Sequence, residues 1–418
     1  MPNMTVVGAS QKDPVKIRIA VLFYRFGPYH HARLNSIGKS MAVWALEACG
    51  MDATYDWEKV EGAGSFTRVT LTDRDMRSRQ WREEVQRKIW SALYEIKPQA
   101  VVIPGWIFID ALSALYWCVK TRTPVIVMSD STAWDQPRKF WKEWIKSRLV
   151  KMCSAALAGG TPHADYLKRL GLSERQIFLG YDIVDNDYFG SGAEEARNRK
   201  SETRRQRNLP EKYFLASARF IEKKNLFRLV EAYKQYRDSA KGAAWDLVLL
   251  GDGPLKPALN ELIAKLGLGS SVHLPGFKQY GELPAYFGLA STFIHASMTE
   301  QWGLVVNEAM AAGLPVLVSN RCGCAAGLVH EGVNGFTFAP EDVMGIAGLM
   351  KKISAADFPL SAFGQESRRI IANWGPDRFG GGLSAAVNQA VKAGPPSIGL
   401  IDRIILTGML RYQSKSSE

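Results

Sequence analysis

The fold prediction for this chain starts from one segment, Ser297-Met-Thr-Glu300-Gln-Trp-Gly303-Leu-Val-Val-Asn-Glu308-Ala-Met-Ala-Ala-Gly313-Leu-Pro315-Val-Leu-Val-Ser-Asn320. Gly303 precedes a run of good helix formers, and Gly313 with Pro315 ends that run in the order usual at helix C-termini. Residues 316–318 then predict a buried parallel strand. The segment therefore predicts one helix–strand unit of an α/β sheet.

The first turn of this predicted helix is suited to an anion. Its backbone N–H groups lack intrahelical partners and lie at the positive end of the helix dipole, where a diphosphate can bind. Glu300 lies just before these amides, and Glu308 lies inside the helix. Carboxylates accept hydrogen bonds from the vicinal hydroxyls of sugars and ribose. The two carboxylates could therefore hold two hydroxylated rings on either side of a diphosphate.

A second pattern lies upstream of this segment. Residues 214–219 predict a strand that delivers Arg219, and Lys224 precedes a helical stretch at 226–236. Arg binds phosphate oxygens through a planar fork, and Lys offers a compact positive charge. Departure of a nucleoside diphosphate concentrates negative charge on its terminal phosphate, so fixed cations there stabilise the transition state. Arg219 and Lys224 are therefore candidates for that role.

Together these residues resemble the Glu-x7-Glu motif and the Arg–Lys pair of retaining, nucleotide-sugar-dependent glycosyltransferases of the GT-B fold, family 4. The resemblance implies that Glu300 contacts hydroxyls of the donor sugar, that Glu308 holds the ribose, and that Arg219 and Lys224 stabilise the leaving diphosphate. It extends the donor site to the residues that follow Glu300, which are Gln301, Trp302, Gly303 and Leu304. A surface helix with solvated carboxylates is the alternative interpretation of the same spacing.

The resemblance covers most of the chain, densely at 214–335 and loosely in the first half. Gly276 and Phe277 follow a predicted strand, at the place where the family contacts the nucleobase through main-chain groups. Gly27 follows the first predicted strand, where a glycine lets the backbone approach a phosphate or sugar closely. Residues 159–163, Gly-Gly-Thr-Pro-His, resemble a subset of bacterial family members that assemble exopolysaccharide or lipopolysaccharide.

The candidate acceptor ligands are His30, His31 and Asp130. The two histidines either contact the acceptor or begin the next helix. Asp130 stands where many family members have a His that meets the donor sugar, so it is also a catalytic candidate. Its carboxylate either bonds a sugar hydroxyl, orients the acceptor or caps a helix. The resemblance implies that the departing phosphate oxygen takes the acceptor proton on the same face, and no side-chain nucleophile is expected.

Short apolar runs alternate with longer periodic runs through nearly the whole chain. In the first half, strand-like runs lie at 17–24, 100–103, 124–128, 155–158 and 176–179, and helical runs lie at 33–49, 81–96, 107–120 and 140–152. This rhythm predicts an α/β protein with parallel sheets covered by helices on both faces. With the resemblance, it implies the GT-B fold, in which two Rossmann-like doubly wound domains face each other across a cleft.

The length of 418 residues suits two domains of roughly 200 residues each. We expect an N-terminal, acceptor-binding domain at 1–192, a charged linker at 193–210 and a nucleotide-sugar-binding domain at 211–376. Residues 377–418 predict a helical tail that returns to the first domain.

The composition indicates a folded protein with anionic partners. It has 46% hydrophobic residues, 22% charged residues and a formal net charge of +12. Such a basic balance fits nucleic acid, an acidic membrane face or phosphorylated substrates. The five cysteines lack zinc-ligand spacing, so we expect neither a metal nor another cofactor, and a reducing cytoplasm. Residues 1–14 are polar and predict no signal peptide, and no apolar run has the length of a transmembrane helix.

Residues 134–151 mix aromatic and basic side chains in the way of helices that rest on an anionic membrane surface. An ordinary helix packed on the sheet, with a solvated basic side, is the alternative, especially for the Trp side chains. Reversal of Lys139, Lys142 and Lys146 in a vesicle-binding test separates the two. The predicted location is therefore cytoplasmic, with peripheral contact at the inner face of the cell membrane as a hypothesis.

The sequence thus predicts a hexosyltransferase that moves a sugar from a nucleoside-diphosphate donor to a carbohydrate or lipid-linked acceptor, in cell-surface polysaccharide or glycolipid synthesis. A sugar phosphorylase or a nucleotide-sugar epimerase of the same fold is the first alternative. A basic nucleic-acid-binding protein is disfavoured, because the charge is scattered and no recognition module is present. Asp-x-Asp occurs at 73–75 and 185–187 but follows no suitable strand, so metal independence is expected.

Overall fold

The computed structural model describes residues 16–50, 64–73, 79–240 and 244–415. The prediction that residues 1–14 form no signal peptide lies outside these ranges, and so does Asp75 of the first Asp-x-Asp. Within them the chain forms two parallel sheets of seven and six strands, each flanked by helices. This confirms the predicted α/β class.

The first sheet has the strand order β3-β2-β1-β4-β5-β6-β7. Its strands are β1 (Arg18–Phe23), β2 (Ala42–Glu47), β3 (Thr67–Thr70), β4 (Ala100–Pro104), β5 (Val125–Ser129), β6 (Ala155–Ala158) and β7 (Ile177–Leu179). The helices between them are α1 (Pro28–Gly38), α2 (Arg79–Ile96), α3 (Ile109–Thr121), α4 (Phe140–Val150) and α5 (Thr161–Arg169), with a 3-10 turn at Glu174–Gln176. The central strands β4, β5 and β6 are apolar and almost wholly buried, as strands covered by helices on both faces should be.

The second sheet has the order β10-β9-β8-β11-β12-β13. Its strands are β8 (Tyr213–Ser217), β9 (Asp246–Leu250), β10 (Val272–Gly276), β11 (Thr292–His295), β12 (Val316–Ser319) and β13 (Gly335–Phe338). Its helices are α6 (Asn186–Asn198), α7 (Lys200–Arg207), α8 (Leu226–Ser239), α9 (Lys256–Lys265), α10 (Leu283–Leu289), α11 (Leu304–Ala311), α12 (Ala325–Leu328), α13 (Val343–Ile353) and α14 (Leu360–Ile371). Further 3-10 turns lie at Glu222–Lys224, Tyr280–Glu282 and Ala372–Trp374.

Both sheets reverse their strand order next to the first strand of the unit, β1 in one and β8 in the other. In open parallel sheets, ligands bind beyond the carboxyl ends of the strands at such switch points. The loops after β1 and β8 carry Gly27 and Arg219, so the topology places these sequence candidates at the ligand-binding edges.

The predicted helix at residues 33–49 is wrong, because this stretch contains the end of α1 and the whole of β2. The helix ends at Gly38, where a Cβ atom would lie 2.0 Å from the carbonyl oxygen of Ser65. Residues 42–47 then pair in parallel with β1. An apolar run of this length fits a helix or a buried strand equally well by periodicity alone, which is why β2 was missed.

Residues 193–210, predicted as a linker, contain the end of α6 and all of α7. Phe189, Ala193 and Ala196 of α6 are buried in one cluster with Phe287 of α10, on the second sheet. Helix α7 buries no side chain, as its charge pattern predicts. The division of the chain into domains at these residues stays a prediction.

The C-terminal tail returns to the first domain, as predicted. It consists of α15 (Pro376–Ala393) and α16 (Leu400–Lys415). Helix α15 packs on α1, β6 and β7, and its Phe379, Leu383 and Val387 join the core beneath the first sheet. Helix α16 packs on α2, α3 and α4. In the described part of the chain, no helix combines the length and the apolar character needed to cross a bilayer.

Candidate active site

Glu300 lies in the loop between β11 and α11 and is held by cations. Its carboxylate forms ion pairs with Lys224 and, at 3.2 Å, with Lys223. Ser297 donates a hydrogen bond to it at 3.3 Å. Burial alone would raise the pKa of Glu300, but the contacts with His295 and Lys224 hold it well below its usual range. Burial lowers the pKa of His295, so the two lysines supply the positive charge beside this carboxylate at neutral pH.

The lysine loop and the Glu300 loop are fixed to each other by hydrogen bonds from the Asn225 side-chain amide and by one main-chain hydrogen bond. Asn225, which ends the 3-10 turn with a positive φ of 59°, donates hydrogen bonds to the carbonyl oxygens of Ala296 and Pro340. The amide of Met298 donates to the carbonyl oxygen of Lys223 at 2.8 Å. The structure therefore brings the predicted pair Glu300 and Lys224 together on a preorganised frame. Arg219 lies in the preceding loop with an exposed side chain, and its place at a phosphate stays a prediction.

Helix α11 begins beside this carboxylate. Gly303 precedes it with a φ of 105°, in the left-handed region that favours glycine. The amides of Leu304 and Val305 belong to the first turn, which has no intrahelical acceptors for them. The helix N-terminus predicted to bind a diphosphate therefore lies next to Glu300 and its lysines.

Glu308 has different surroundings. It is buried on the inner side of α11, where Tyr29 from the start of α1 donates a hydrogen bond to its carboxylate. Burial raises the pKa of Glu308 to about 8, although the bond from Tyr29 acts in the opposite direction. Burial raises the pKa of Tyr29 as well. The carboxylate that the resemblance assigns to the ribose is thus bound by a side chain of the first domain.

Three tyrosines gather beside Glu308. Tyr29 packs edge-on against Tyr280 at a ring distance of 5.7 Å, and Tyr280 stacks on Tyr188 at 4.5 Å. Tyr188 and Tyr280 line an interdomain cavity of about 1260 Å³. The other sides of this cavity come from the outer face of α1, Arg368 and the start of the tail. Glu300, Lys224 and Arg219 do not line it, so this cavity lies beside the predicted donor site and does not coincide with it.

Gln301 and Trp302 connect the Glu300 loop to the first domain. His163 accepts a hydrogen bond from the amide of Gly160 at Nδ1, so its Nε2 carries the proton and donates to the Gln301 carbonyl oxygen at 2.8 Å. The side-chain amide of Gln301 donates to Asp130 at 3.3 Å. Trp302 is 3% exposed and donates its indole N–H to Asn307.

The Trp302 side chain is used between the two domains, and a donor contact of this residue, through its main chain, stays a prediction. Its ring faces Gly160, where a Cβ atom would come within 2.9 Å, and packs against Trp374 at 5.1 Å. The side chain therefore packs the two domains together. The main chain around it remains part of the loop that carries Glu300.

Asp130 belongs to a group of buried and half-buried polar side chains at the edge of the first sheet. Arg33 approaches Asp182 at 3.8 Å and donates to the carbonyl oxygen of Ile183. Burial raises the pKa of Asp182 to about 8, and the neighbouring Asp130 adds to this effect. Burial also raises the pKa of Asp130, against the charges of His163 and Arg33. Asp130 therefore faces the Glu300 loop through Gln301 rather than capping a helix, and a contact with a sugar stays a prediction.

Gly27 and His30 bond to each other at the start of α1, and their contacts with donor and acceptor stay predictions. The amide of Gly27 donates to Nδ1 of His30, so the pair caps the start of α1. The His30 ring packs on Phe23 at 4.4 Å, and desolvation lowers the pKa of His30 to about 3. The imidazole is therefore neutral and stabilises the start of α1, whereas a contact of His30 with the acceptor stays a prediction. Gly27 has an extended φ of −119° and uses its amide within the cap.

His31 lines the 1260 Å³ cavity and contacts Asn35 at 3.0 Å. It can still meet a ligand there. Gly276 ends β10 with a φ of 83°, and Phe277 is 40% exposed beside it. Their contact with a nucleobase stays a prediction. Within the described ranges, no cluster of three or more metal-ligand side chains exists, and independence from metals likewise stays a prediction.

The comparisons with known proteins agree with this geometry. The family model described as glycosyl transferases group 1 matches residues 198–370, which include Arg219, Lys224, Glu300 and Glu308. Two solved structures superimpose over nearly the whole chain. The Anabaena protein HepE in complex with UDP has a TM-score of 0.66, 15% identity, and coverage of 88% of this chain and 98% of its own. Sucrose-phosphate synthase from Thermosynechococcus elongatus has a TM-score of 0.70, 17% identity, and coverage of 90% and 99%.

The chain has the GT-B fold, and its residues 198–370 are similar to glycosyl transferases group 1. This confirms the predicted resemblance and fold, whereas family 4 and retention of configuration stay predictions. Among curated relatives, the GT-B chain is 35% identical to the alpha-monoglucosyldiacylglycerol synthase of Acholeplasma laidlawii, over 29% of this chain and 30% of the relative. It is 32% identical to a putative colanic acid biosynthesis glycosyltransferase of Salmonella typhimurium, over 34% and 36%. The chain therefore matches about a third of the length of these two relatives.

Tyr29 and His163 are the site residues that sequence reasoning missed. A local signal was present, because Gly-x-x-His occurs at 27–30 and 160–163, and at both places the Gly amide donates to the His ring at the start of a helix; a third Gly-x-x-His, at 327–330, lies across the end of α12 instead. The repeat marks two helix starts at the cleft edge of the first domain. It does not reveal that His163 reaches Gln301 or that Tyr29 reaches Glu308.

Proposed function

We propose that this GT-B protein transfers a sugar from a nucleoside-diphosphate donor to a carbohydrate or lipid-linked acceptor with retention of configuration. The observation that carries the proposal is the contact of Glu300 with Lys224 beside the N-terminus of α11. This contact brings together three groups: a carboxylate that can bind sugar hydroxyls, a cation that can bind phosphate, and a helix N-terminus that can bind an anion.

In the proposed reaction, the bond between C1 of the sugar and the diphosphate oxygen breaks, and the acceptor oxygen bonds to C1 on the same face. The departing phosphate oxygen takes the acceptor proton, so no protein base is required. Lys224 and Arg219 stabilise the negative charge of the leaving diphosphate, together with the amides at the start of α11. Because charge on the leaving group grows as its bond breaks, these contacts strengthen in the transition state.

Glu308 is proposed to bind the ribose of the donor. Tyr29 holds this carboxylate in the structure, so the ribose must displace the phenol or share the carboxylate with it. Burial raises the pKa of Glu308 to about 8, and hydroxyls of a ribose provide hydrogen bonds that this buried, polar carboxyl group requires. Exchange of Tyr29 for the ribose therefore couples the first domain to donor binding.

The HepE structures bind UDP, and in one case UDP-glucose, which supports a uridine nucleotide as the first donor to test. The names of the curated relatives include a glycolipid synthase and a colanic acid enzyme, which supports a lipid-linked or polysaccharide acceptor. A lipid-linked acceptor would require peripheral contact with the inner face of the cell membrane, and the exposed aromatic side chains of α4 support that location.

A thermal-shift panel of UDP-, GDP- and ADP-sugars tests the donor class. One nucleotide should raise the melting temperature by several degrees, because a ligand that binds only the folded state stabilises it. Lys224→Met should abolish most of this shift. Lys265→Met is the matched control, since Lys265 is exposed at the far end of α9 and should leave the shift intact. Absence of a shift with every nucleotide sugar, or an equal loss in both variants, would contradict the proposal.

A further inference from the structure

We infer that α4 and α16 together form one surface that rests on an anionic lipid bilayer. The inference deepens the membrane location in the proposed function by naming the surface and by adding the C-terminal helix to it. The sequence pattern singled out the region of α4 alone.

Helix α4 exposes its large apolar side chains. Phe140 is 89% exposed, Trp141 57% and Trp144 43%. These positions and Arg148 have the spacing of one helix face, and the Arg148 guanidinium lies 5.3 Å from the Trp144 ring. The alternative of Trp side chains packed on the sheet is therefore wrong for Trp141 and Trp144.

Helix α16 has one packed face and one exposed apolar face. Leu406 and Leu410 are buried in the core of the first domain. Leu400, Ile401 and Ile404 point away from that core and are 75%, 55% and 62% exposed. A helix that already has a buried face does not need further large apolar side chains for folding. The second, exposed apolar face of α16 therefore indicates an interaction surface.

The two exposed faces meet. Arg148 of α4 forms an ion pair with Asp402 of α16 at 3.2 Å. On α4, Arg148 lies one turn after Trp144, and on α16, Asp402 directly follows Ile401. The aromatic side chains of α4 and the aliphatic side chains of α16 are therefore neighbours on either side of this ion pair, and they form a composite patch.

The patch reaches the cleft side of the first domain at the start of α4, whereas Leu400 and Ile401 lie toward the opposite edge of the sheet, near the residues that precede β6. Helix α4 begins shortly after β5, beyond the carboxyl end of that strand, so Phe140 is at the ligand-binding edge of the sheet. Phe108 follows the neighbouring strand β4 at the same edge and is 67% exposed. A bilayer in contact with this rim would present lipid-linked molecules to the acceptor side of the cleft.

The charges around the patch favour an anionic bilayer as its partner. The acidic side chains are neutralised, because Asp402 pairs with Arg148 and Glu143 pairs with Lys146. In the described part of the chain, the exposed Lys139, Lys142 and Arg403 form no ion pairs. A symmetric contact with a second copy would bring two of these cationic edges into one interface, and the added like charges cost free energy. An apolar patch with free cations at its edge instead matches the interface of an anionic membrane.

Lys146 does not belong to the set of membrane-facing cations. Its ammonium group pairs with Glu143 and contacts the hydroxyl of Tyr166, and its side chain is largely covered. Of the three lysines that the sequence indicated as membrane-binding candidates, only Lys139 and Lys142 therefore remain.

The test is sedimentation of the full chain with vesicles of phosphatidylcholine alone or with about a third phosphatidylglycerol. The wild type should bind the anionic vesicles and not the neutral ones. The double variant Ile401→Ser/Ile404→Ser should lose at least about tenfold in affinity, since each side chain forfeits apolar contact with the bilayer. Lys139→Glu/Lys142→Glu should lose a similar factor through charge.

Met344→Ser and Lys351→Glu on α13 of the second domain are the matched controls and should bind as the wild type does. Binding that responds to the α4 lysines but not to the α16 variant would overturn the composite surface. Failure of the wild type to bind anionic vesicles would also overturn it. So would a wild-type dimer, detected by light scattering, that is absent in the α16 variant. The nucleotide thermal shift is measured on every variant, so failure of donor binding is distinguished from failure of membrane binding.

Discussion

Glu300 and Glu308 belong to the same short segment, yet their surroundings shift their pKa values in opposite directions. Glu300 lies among Lys223, Lys224 and His295, and its pKa is held below the usual range. Glu308 meets a tyrosine in a buried setting, and its pKa is raised to about 8. The first carboxylate is a permanent charge at neutral pH, whereas the second is mostly protonated.

This difference indicates two different tasks for the two side chains. A fixed negative charge, balanced by lysines, suits a reacting centre where positive charge develops on a sugar ring. A carboxyl group that is neutral until a polar ligand arrives suits recognition of hydroxyls. The two glutamates of the Glu-x7-Glu motif are therefore chemically distinct groups, although they lie near the start of the same helix.

The largest effect is expected for Glu300→Gln, which removes the fixed charge and keeps the shape. The turnover number with the donor identified by thermal shift should fall at least about 100-fold. Glu308→Gln should instead weaken nucleotide binding, by about tenfold, with a smaller change in turnover. Glu261→Gln, exposed on α9, is the control for loss of a carboxylate. Equal effects of the two site variants on turnover would break the distinction between them.

An effect of intermediate size is expected on stability and its pH dependence. The pKa of Glu308 is raised from 4.5 to about 8 on folding, so its protonated form stabilises the fold below pH 4.5 and this contribution is lost as pH rises toward 8. Glu308→Gln has no such loss. Its melting temperature relative to the wild type should therefore rise by about 5 °C between pH 4.5 and 8. A difference that is constant with pH would show that Glu308 is ionised in the folded protein.

The smallest effect is expected for Tyr29→Phe, which removes the hydrogen bond to Glu308 and keeps the ring against Tyr280. Without the competing phenol, the donor nucleotide should bind about threefold tighter, since a hydrogen bond contributes about 0.5–1.5 kcal/mol net. Isothermal titration measures the change. Weaker binding would mean that Tyr29 contacts the donor directly. Tyr29 would then not compete with the donor for Glu308.

The local parts of the site could be predicted from the sequence. Gly303, the helix after it and the strand at 316–319 follow from turn chemistry and periodicity. Lys224 and Glu300 were predicted to converge because parallel strands deliver their following loops to the same edge of a sheet. These inferences need only short segments and the general topology of α/β domains.

The remaining parts depend on contacts between distant segments. Tyr29 and Glu308 are 279 residues apart in the chain, and His163 and Gln301 are 138 apart. No periodicity encodes such pairs, so the burial that shifts the pKa of Glu308 was not visible. The exposed face of α16 was also missed, because an apolar run in a sequence does not say which side chains reach the core.

Trp302 has a mechanical consequence for any movement between the two halves of the molecule. Its ring is wedged against Gly160 of one domain while its main chain lies two residues from Glu300 in the other. Separation of the two halves would require the Trp302 ring to leave this packing site, and it would pull on the loop that carries Glu300, the candidate catalytic carboxylate. A change in the angle between the two halves would therefore also change the position of Glu300, because the Trp302 side chain connects them.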